Sequence, residues 1–355
     1  MTGSSRPYNR GVLVSEVGEF GLIRLLADEL GVDYPPRPGR GGRRQPGLLV
    51  GLGDDAAVSQ RREGALIWTT DTLVAGVHFL PGRTAWQDVG WKALAVNLSD
   101  VAAMGGEPHL ALVTLLLPDD FCVEDVLALY RGLKEAASAF GVILAGGDLV
   151  RAPVFAATVA LSGWAVHSRL GEPSVMTRSA ARLGDVVAVS GTLGDSAAGL
   201  RLLKEGASFR TKKSRLLRAA HERPQPRVAL GLAAVRAGVR CAIDVSDGLV
   251  QDLGHVAQAS GVGIRVDANR VPTSAALRDA FPSQALGLAL SGGEDYELVL
   301  IASRPVIDSL LGATGTPLTE IGEVVHYDTP RVAVVDETGR EIPLAQAGWD
   351  HFAPR

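Results

Sequence analysis

Thr69-Thr70-Asp71-Thr72-Leu73-Val74-Ala75-Gly76-Val77-His78-Phe79 follows an apolar run, Ala65-Leu66-Ile67-Trp68, that predicts a short buried strand ending at Asp71. A carboxylate among hydroxyls at a strand end, with glycine and histidine just beyond, is the composition of a site rather than of packing. The same chemistry recurs. Gly53-Asp54-Asp55, Gly146-Gly147-Asp148, Asp244-Val245-Ser246-Asp247-Gly248 and Gly292-Gly293-Glu294-Asp295 all place acids beside glycines after apolar runs. Any one of them reads equally well as a turn. Together they predict one shared cation site.

A chain of 355 residues exceeds one typical core, so two domains are expected. A hydrophobic content of 46% and mean hydropathy of +0.17 fit a globular protein with ample core. Lys and Arg number 35 against 39 Asp and Glu, a net charge of −4, so no broad basic surface points to nucleic acid. Cys122 and Cys241 match no metal spacing and read as ordinary core thiols. Met1 to Arg10 is polar with no apolar segment after it, and no apolar run is long enough to span a bilayer, which together predict a cytoplasmic protein.

Residues 1–15 read as a loose N-terminus, and Glu16 to Leu30 carries a helical apolar stripe. The Pro/Gly/Arg-rich stretch 35–47 cannot build a core and reads as a loop. Gly51-Leu52-Gly53-Asp54-Asp55-Ala56 fits the dinucleotide fingerprint in form only, since a pyrophosphate there would face two carboxylates. Trp91 to Met104 is a predicted helix with Trp91, Leu94, Leu98 and Val101 inward and Asn97 and Asp100 on another face. Further strands are expected at His109–Leu117, Val142–Ala145, Val154–Val166, Gly184–Ser190, Gly263–Val266, Glu297–Ile301 and Arg331–Val335. Helices are expected at Glu124–Phe140, at Leu249–Ala259 and after Leu193-Gly194-Asp195-Ser196, where Asp195 or Ser196 is the natural N-cap. Regular βαβ spacing is missing from both halves, so the expectation is two α+β domains, 16–166 and 167–355.

Two carboxylates about 5 Å apart repel by roughly 3 kcal/mol at an effective dielectric near 20. If Asp55, Asp71, Asp100, Asp148, Asp244 and Asp247 converge, cations must hold them together. Oxygen ligands without His or Cys select Mg²⁺ or its hard relatives over zinc. Several such ions in one cleft describe nucleotide-dependent phosphoryl transfer. No Gly-Lys pair occurs, so the P-loop is absent, as are the kinase H-R-D and D-F-G signatures.

Read in order, Gly53-Asp54-Asp55-Ala56, Thr70-Asp71-Thr72-Leu73-Val74 with His78-Phe79, and Lys92-Ala93-Leu94-Ala95-Val96-Asn97-Leu98-Ser99-Asp100 resemble the thiamine-monophosphate kinase family of the AIR synthetase and selenophosphate synthetase superfamily. Gly146-Gly147-Asp148, Gly191-Thr192-Leu193-Gly194-Asp195-Ser196, Ile243-Asp244-Val245-Ser246-Asp247-Gly248-Leu249, Ser291-Gly292-Gly293-Glu294-Asp295-Tyr296-Glu297-Leu298 and Asp350-His351-Phe352 continue the match. The resemblance implies an N-terminal β-rich domain that pairs with its twin in a homodimer, and a C-terminal α/β domain. It implies Mg²⁺ ions on Asp55, Thr69, Thr70, Asp71, Asp100, Asp148, Asp244 and Asp247. ATP would meet Gly147, Asp148, Arg178 and Ser246, with Tyr130 a weaker candidate. Thiamine monophosphate would meet His78, Glu294 and Trp349, an aromatic face suiting a cationic thiazolium. Direct in-line transfer from ATP to the substrate phosphate follows, with no general base, because a phosphate nucleophile is already deprotonated at neutral pH. The alternatives are another ATP-dependent enzyme of the superfamily, a non-catalytic cation- or nucleotide-binding module, and a structural protein whose acids are turn residues. The 35–47 stretch and the longer N-terminal tail depart from the family without interrupting a motif.

Overall fold

A computed structural model of the chain describes residues 11–32, 48–51, 56–59, 63–167, 172–343 and 348–349. The expectations for Met1–Arg10, the 35–47 stretch, Gly53–Asp55 and Asp350–Phe352 lie outside these residues. Two compact units divide the chain. One comprises Met1–Arg61, Asp71–Leu94 and Leu110–Val159, the other Arg62–Thr70, Ala95–His109 and Ala160–Arg355.

In chain order come α1 (Val14–Leu30), β1 (Leu48–Val50), β2 (Val58–Ser59), β3 (Leu66–Val74), α2 (Trp86–Ala103), β4 (Gly106–Leu117), α3 (Val123–Phe140), β5 (Ile143–Arg151), β6 (Ala156–His167) and β7 (Pro173–Ser174). Then follow β8 (Val186–Ser190), α4 (Asp195–Lys204), α5 (Lys212–Glu222), α6 (Val228–Ala237), β9 (Cys241–Asp244), α7 (Leu249–Ser260) and β10 (Gly263–Asp267). The last are α8 (Ala275–Ala280), α9 (Ala285–Ser291), β11 (Leu298–Ala302), α10 (Arg304–Leu310), β12 (Leu318–Val325) and β13 (Arg331–Val335). One sheet has the order β3-β6-β4-β5 with β7 on β6, and a six-stranded sheet has the order β13-β10-β12-β8-β11-β9.

In the first unit α3 buries Val126, Leu129, Leu133 and Ala136 at helical spacing and ends on Gly141, which takes the left-handed conformation that glycine accepts at a C-cap. Helices α2 and α3 touch backbone to backbone. A Cβ on Gly90 would stand 1.9 Å from the Leu129 carbonyl oxygen, and one on Gly132 1.8 Å from that of Gln87. Phe79, Trp86, Phe121 and Phe155 form an aromatic cluster beside them, with Phe121 stacked on Phe155 at 5.2 Å.

The six-stranded sheet belongs to the second unit. Its neighbours β8 and β11, Val186-Val187-Ala188-Val189-Ser190 and Leu298-Val299-Leu300-Ile301-Ala302, are buried throughout, which puts the core at the middle of the sheet. Only β10 and β13 pair in parallel; the other pairs are antiparallel. That mixture is why no regular βαβ rhythm shows in the sequence.

Several local expectations need correction. The strand expected to end at Asp71 runs on to Val74, and it is not buried throughout: Leu66 and Trp68 are exposed, Trp68 by 65%. The reason is alternation: Leu66, Trp68, Thr70 and Thr72 lie on a face that is open, while Ile67 and Leu73 are buried on the other. The strand expected to stop at Ala145 instead continues through Gly146-Gly147-Asp148 to Arg151. Gly147 is there for close approach rather than for a turn, because a Cβ would meet the Val113 carbonyl oxygen of β4 at 1.8 Å. Neither Asp195 nor Ser196 caps α4. Gly194 is the N-cap residue, and its N–H and that of Ser196 donate to the carboxylate of Asp295, at 2.7 and 3.2 Å. Cys241 is a core thiol, whereas Cys122 is half-buried at the N-cap of α3.

Candidate active site

Apolar Cys241-Ala242-Ile243 buries β9 in the sheet and delivers Asp244, itself 3% exposed, at the strand end. The Ser99 hydroxyl of α2 donates to Asp244 Oδ2 at 2.7 Å. Its neighbour on the helix, Asp100, accepts a hydrogen bond from the Thr69 hydroxyl of β3. Burial is the main cause that raises the Asp100 pKa, opposed by that hydrogen bond and by the charge of Arg178. Burial, then the Asp100 charge, pushes Asp244 up to about 7. A buried carboxylate whose proton affinity is raised by a half-buried one nearby, with oxygen donors around them, fits a hard divalent cation, whose charge would offset that repulsion.

Past β9 the chain enters α7 through Ser246-Asp247-Gly248. Asp252, one turn into that helix, accepts the N–H groups of all three, each at 3.1 Å. Burial raises Asp252 to about 7 in spite of those bonds, with the Asp247 charge adding to the rise. Asp247, Asp252 and the exposed His255 place one ligand atom each within 4.8 Å of one another. Asp252 carries a sequence signal of its own, an acid four residues after a glycine at a helix start, the spacing of a cap built from inside the helix.

Contacts to its backbone gather two more of the expected residues, Glu294 and Trp349, around the same segment. Trp349 N–H donates to the Asp247 carbonyl at 2.9 Å, and the Gln251 amide donates to the Trp349 carbonyl at 2.6 Å. Glu294 N–H donates to the Ser246 carbonyl at 2.7 Å. Thus Ser246, Asp247, Glu294 and Trp349 share one locality of the second unit, next in sequence to Asp244. Thr69, Asp100, Asp244 and Arg178 form the acid cluster of that unit.

Asp71, His78, Tyr130 and Asp148 belong to the first unit. Thr69 and Asp71 share the face of β3 that Ile67 and Leu73 bury, while Thr70 lies with Trp68 on the opposite face, as strand alternation requires. Asp148 on β5 pairs in register with Thr114 of β4 and accepts the N–H of Leu149 at 2.9 Å. Asp71 and Asp148 thus stand on the two strands at opposite ends of that sheet's order. His78 Nδ1 accepts the Val74 N–H at 3.0 Å, and the buried Lys92 ammonium donates to the His78 carbonyl at 3.1 Å. Tyr130 is buried in α3, and burial raises its hydroxyl pKa. Asp55 lies outside the described residues.

Over residues 53–166 the chain matches the N-terminal domain, and over residues 182–335 the C-terminal domain, of the AIR synthase related proteins. This pair of domains, on two α+β units with acids at strand ends, defines the class. Relatives matching nearly end to end narrow it. Thiamine-monophosphate kinase of Escherichia coli strain K12 is 40% identical over 344 residues, 95% of this chain and 98% of the relative. The crystal structure of the enzyme of that name from Stenotrophomonas maltophilia K279a is 38% identical and superposes with a TM-score of 0.74, covering 90% of this chain and 95% of that one. AaThiL complexed with AMPPCP and TMP is 34% identical, with a TM-score of 0.73, covering 96% of this chain and 99% of that one. The chain belongs to the thiamine-monophosphate kinase family.

Proposed function

We propose that this protein transfers the γ-phosphoryl group of ATP to the phosphate of thiamine monophosphate, giving thiamine diphosphate and ADP. The observation that carries this reading is the 40% identity with a thiamine-monophosphate kinase along 95% of the chain. The likeness to AaThiL complexed with AMPPCP and TMP, an ATP-like nucleotide with the acceptor, supports the same pair of substrates.

His78, Glu294 and Trp349 bind the acceptor, the last two beside the segment that follows Asp244. Gly147, Asp148, Arg178 and Ser246 bind ATP, and Tyr130 is the weakest member of that set because its side chain is buried. Mg²⁺ held by Asp55, Thr69, Thr70, Asp71, Asp100, Asp148, Asp244 and Asp247 would neutralise phosphate charge and draw two anions together. An acceptor phosphate oxygen forms the new bond to the γ-phosphorus, and the bond to the β-phosphate oxygen breaks, releasing ADP. The chain's own part is binding and alignment, which suffices to make a bimolecular step effectively unimolecular. We further propose the domain division at 166/167, supported by the family matches, of which the first ends at residue 166 and the second begins at residue 182, and a homodimer formed through the N-terminal domain, supported by exposed Leu66 and Trp68 on the open face of β3. Sedimentation at the dimer mass would check the assembly. No helix among the described residues is long and apolar enough to cross a membrane, and we place the protein in the cytoplasm.

The test is product formation from ATP, Mg²⁺ and thiamine monophosphate, with thiamine and no-acceptor controls. Thiamine diphosphate and ADP in equal amounts, dependent on Mg²⁺ and the monophosphate, is the expected result. ADP without thiamine diphosphate would move the protein to another acceptor within the superfamily, and nucleotide binding without turnover would make it a binding module. Asp71→Asn should lower turnover by at least about a hundredfold while leaving the melting temperature within about 2 °C, because the side chain is exposed on its strand. Near-normal activity would remove Asp71 from the site.

A further inference from the structure

Glu294 has φ of 67° and Tyr296 φ of 52°, the two positive values found at non-glycine residues among those described. A non-glycine residue in that region is strained and persists only where its surroundings over-determine it. Two such residues, with one between them, make the segment 292–297 strained, and several contacts hold it. Glu294 and Tyr296 donate their N–H groups to the carbonyls of Ser246 and Val245 at 2.7 and 2.9 Å, and the Glu297 carbonyl accepts the Val245 N–H at 2.8 Å. The half-buried Asp295 carboxylate receives the N–H groups of Gly194 and Ser196 at the start of α4. Glu297 accepts a two-pronged contact from Arg227, Nε at 2.7 Å with the second nitrogen alongside, and a hydrogen bond from Ser190.

The side chain of Glu294 itself is met by His221, the residue before the last of α5. His221 Nδ1 lies 3.1 Å from Glu294 Oε2 and 3.2 Å from Ser196 Oγ. An ionised carboxylate offers only acceptors, so Nδ1 carries the hydrogen, and the Ser196 oxygen, which can also accept, shares it. The imidazole is 2% exposed and Glu294 21%, so a buried donor grips one oxygen of a carboxylate that still reaches solvent.

We propose that His221 is a positioning residue for the acceptor site: its Nδ1–H fixes the Glu294 carboxylate in the orientation that receives the cationic part of the substrate. The inference rests on the reading of Glu294 as an acceptor-binding residue. Backbone strain at Glu294 places the carboxylate, and His221 takes away its remaining rotamer freedom before substrate arrives, so less ordering is left to be done on binding. His221 touches neither substrate in this account; it acts through Glu294.

Two polar substitutions of similar bulk separate this role from packing. An asparagine amide nitrogen falls near the position of Nδ1, whereas a glutamine amide nitrogen falls near Nε2 and misses Glu294. His221→Asn should keep the KM for thiamine monophosphate within about threefold of the parent, while His221→Gln raises it about tenfold, the size of one lost charge-assisted hydrogen bond. In neither variant should the KM for ATP or kcat move by more than about twofold. Glu294→Gln alone should raise the same KM, and adding His221→Gln to it should produce no further rise. Equal effects of Asn and Gln, a KM for ATP that rises in step, additive behaviour in the double variant, or failure of both single variants to fold would each assign His221 to the core and overturn the proposal. If Glu294→Gln leaves the KM for thiamine monophosphate unchanged, the reading of Glu294 fails first and the role of His221 falls with it.

Discussion

Asp244→Asn is expected to lower turnover by about a thousandfold or more and yet leave the metal-free protein at least as stable as the parent at pH 8. Asp244 is buried, hydrogen-bonded to Ser99 and beside the charges of Asp100 and Asp252. Its pKa is about 7 in the folded chain and 3.8 in the reference state, so folding favours the protonated form. The sign follows from that order. Below about pH 4 both states carry the proton and the group costs nothing. Between pH 4 and 7 the unfolded chain releases it while the folded chain holds it, and stability is lost, by up to about 4 kcal/mol once the pH passes the folded value. Asparagine has no charge to bury, so the variant escapes this loss. The parent should gain stability from Mg²⁺ at pH 8 through linkage, and the variant should gain much less. Thermal melts from pH 5 to 8, with and without Mg²⁺, check both halves. A variant with near-normal turnover and the parent's response to Mg²⁺ would take Asp244 out of the cation site.

Gly132→Ala is the second large effect, on stability instead of chemistry. In an isolated helix the change would stabilise by about 1 kcal/mol. Here the new Cβ would meet the Gln87 carbonyl oxygen at 1.8 Å and the Trp91 nitrogen at 2.8 Å, both backbone atoms that cannot rotate away. Helices α2 and α3 have to move apart, at a cost of about 3 kcal/mol or more. Overpacking therefore wins, and the melting temperature should fall by about 5–10 °C. A midpoint at or above the parent's would show that the two helices do not lie this close.

Asp71, Asp100, Asp244 and Asp247 were legible as candidates because their chemistry is local and declares itself in windows of a few residues. What holds them was not. Asp295 serves α4 from a hundred positions away, Arg227 pairs with Glu297 across seventy, and His221 meets Glu294 across a comparable gap, so nothing in the neighbouring sequence of any one of them names its partner. Glycine was legible as a marker but ambiguous in meaning. Gly146-Gly147 read as a turn, whereas Gly147 permits an adjacent strand to approach, and Gly90 and Gly132 drew no notice at all. Burial of β3 was misjudged because an apolar run does not say whether both faces of its strand are covered. Strand β12 escaped because Leu318-Thr319-Glu320-Ile321-Gly322-Glu323-Val324-Val325 is half-buried and carries an irregularity between Glu320 and Gly322, which breaks the alternation that a strand would otherwise show.

The two cysteines stand in environments so different that the chain contains its own clock for opening. Cys241 begins β9 with no exposed surface, and burial pushes its thiol up to about 11, so at neutral pH it is neither reachable nor ionised. Cys122 is half-buried at the start of α3. An alkylating reagent should mark Cys122 in the folded protein. Marking of Cys241 should wait until β9, the strand that carries Asp244, leaves the sheet. The slower of the two labelling rates then counts how often the sheet around Asp244 comes apart, without any probe having to be introduced.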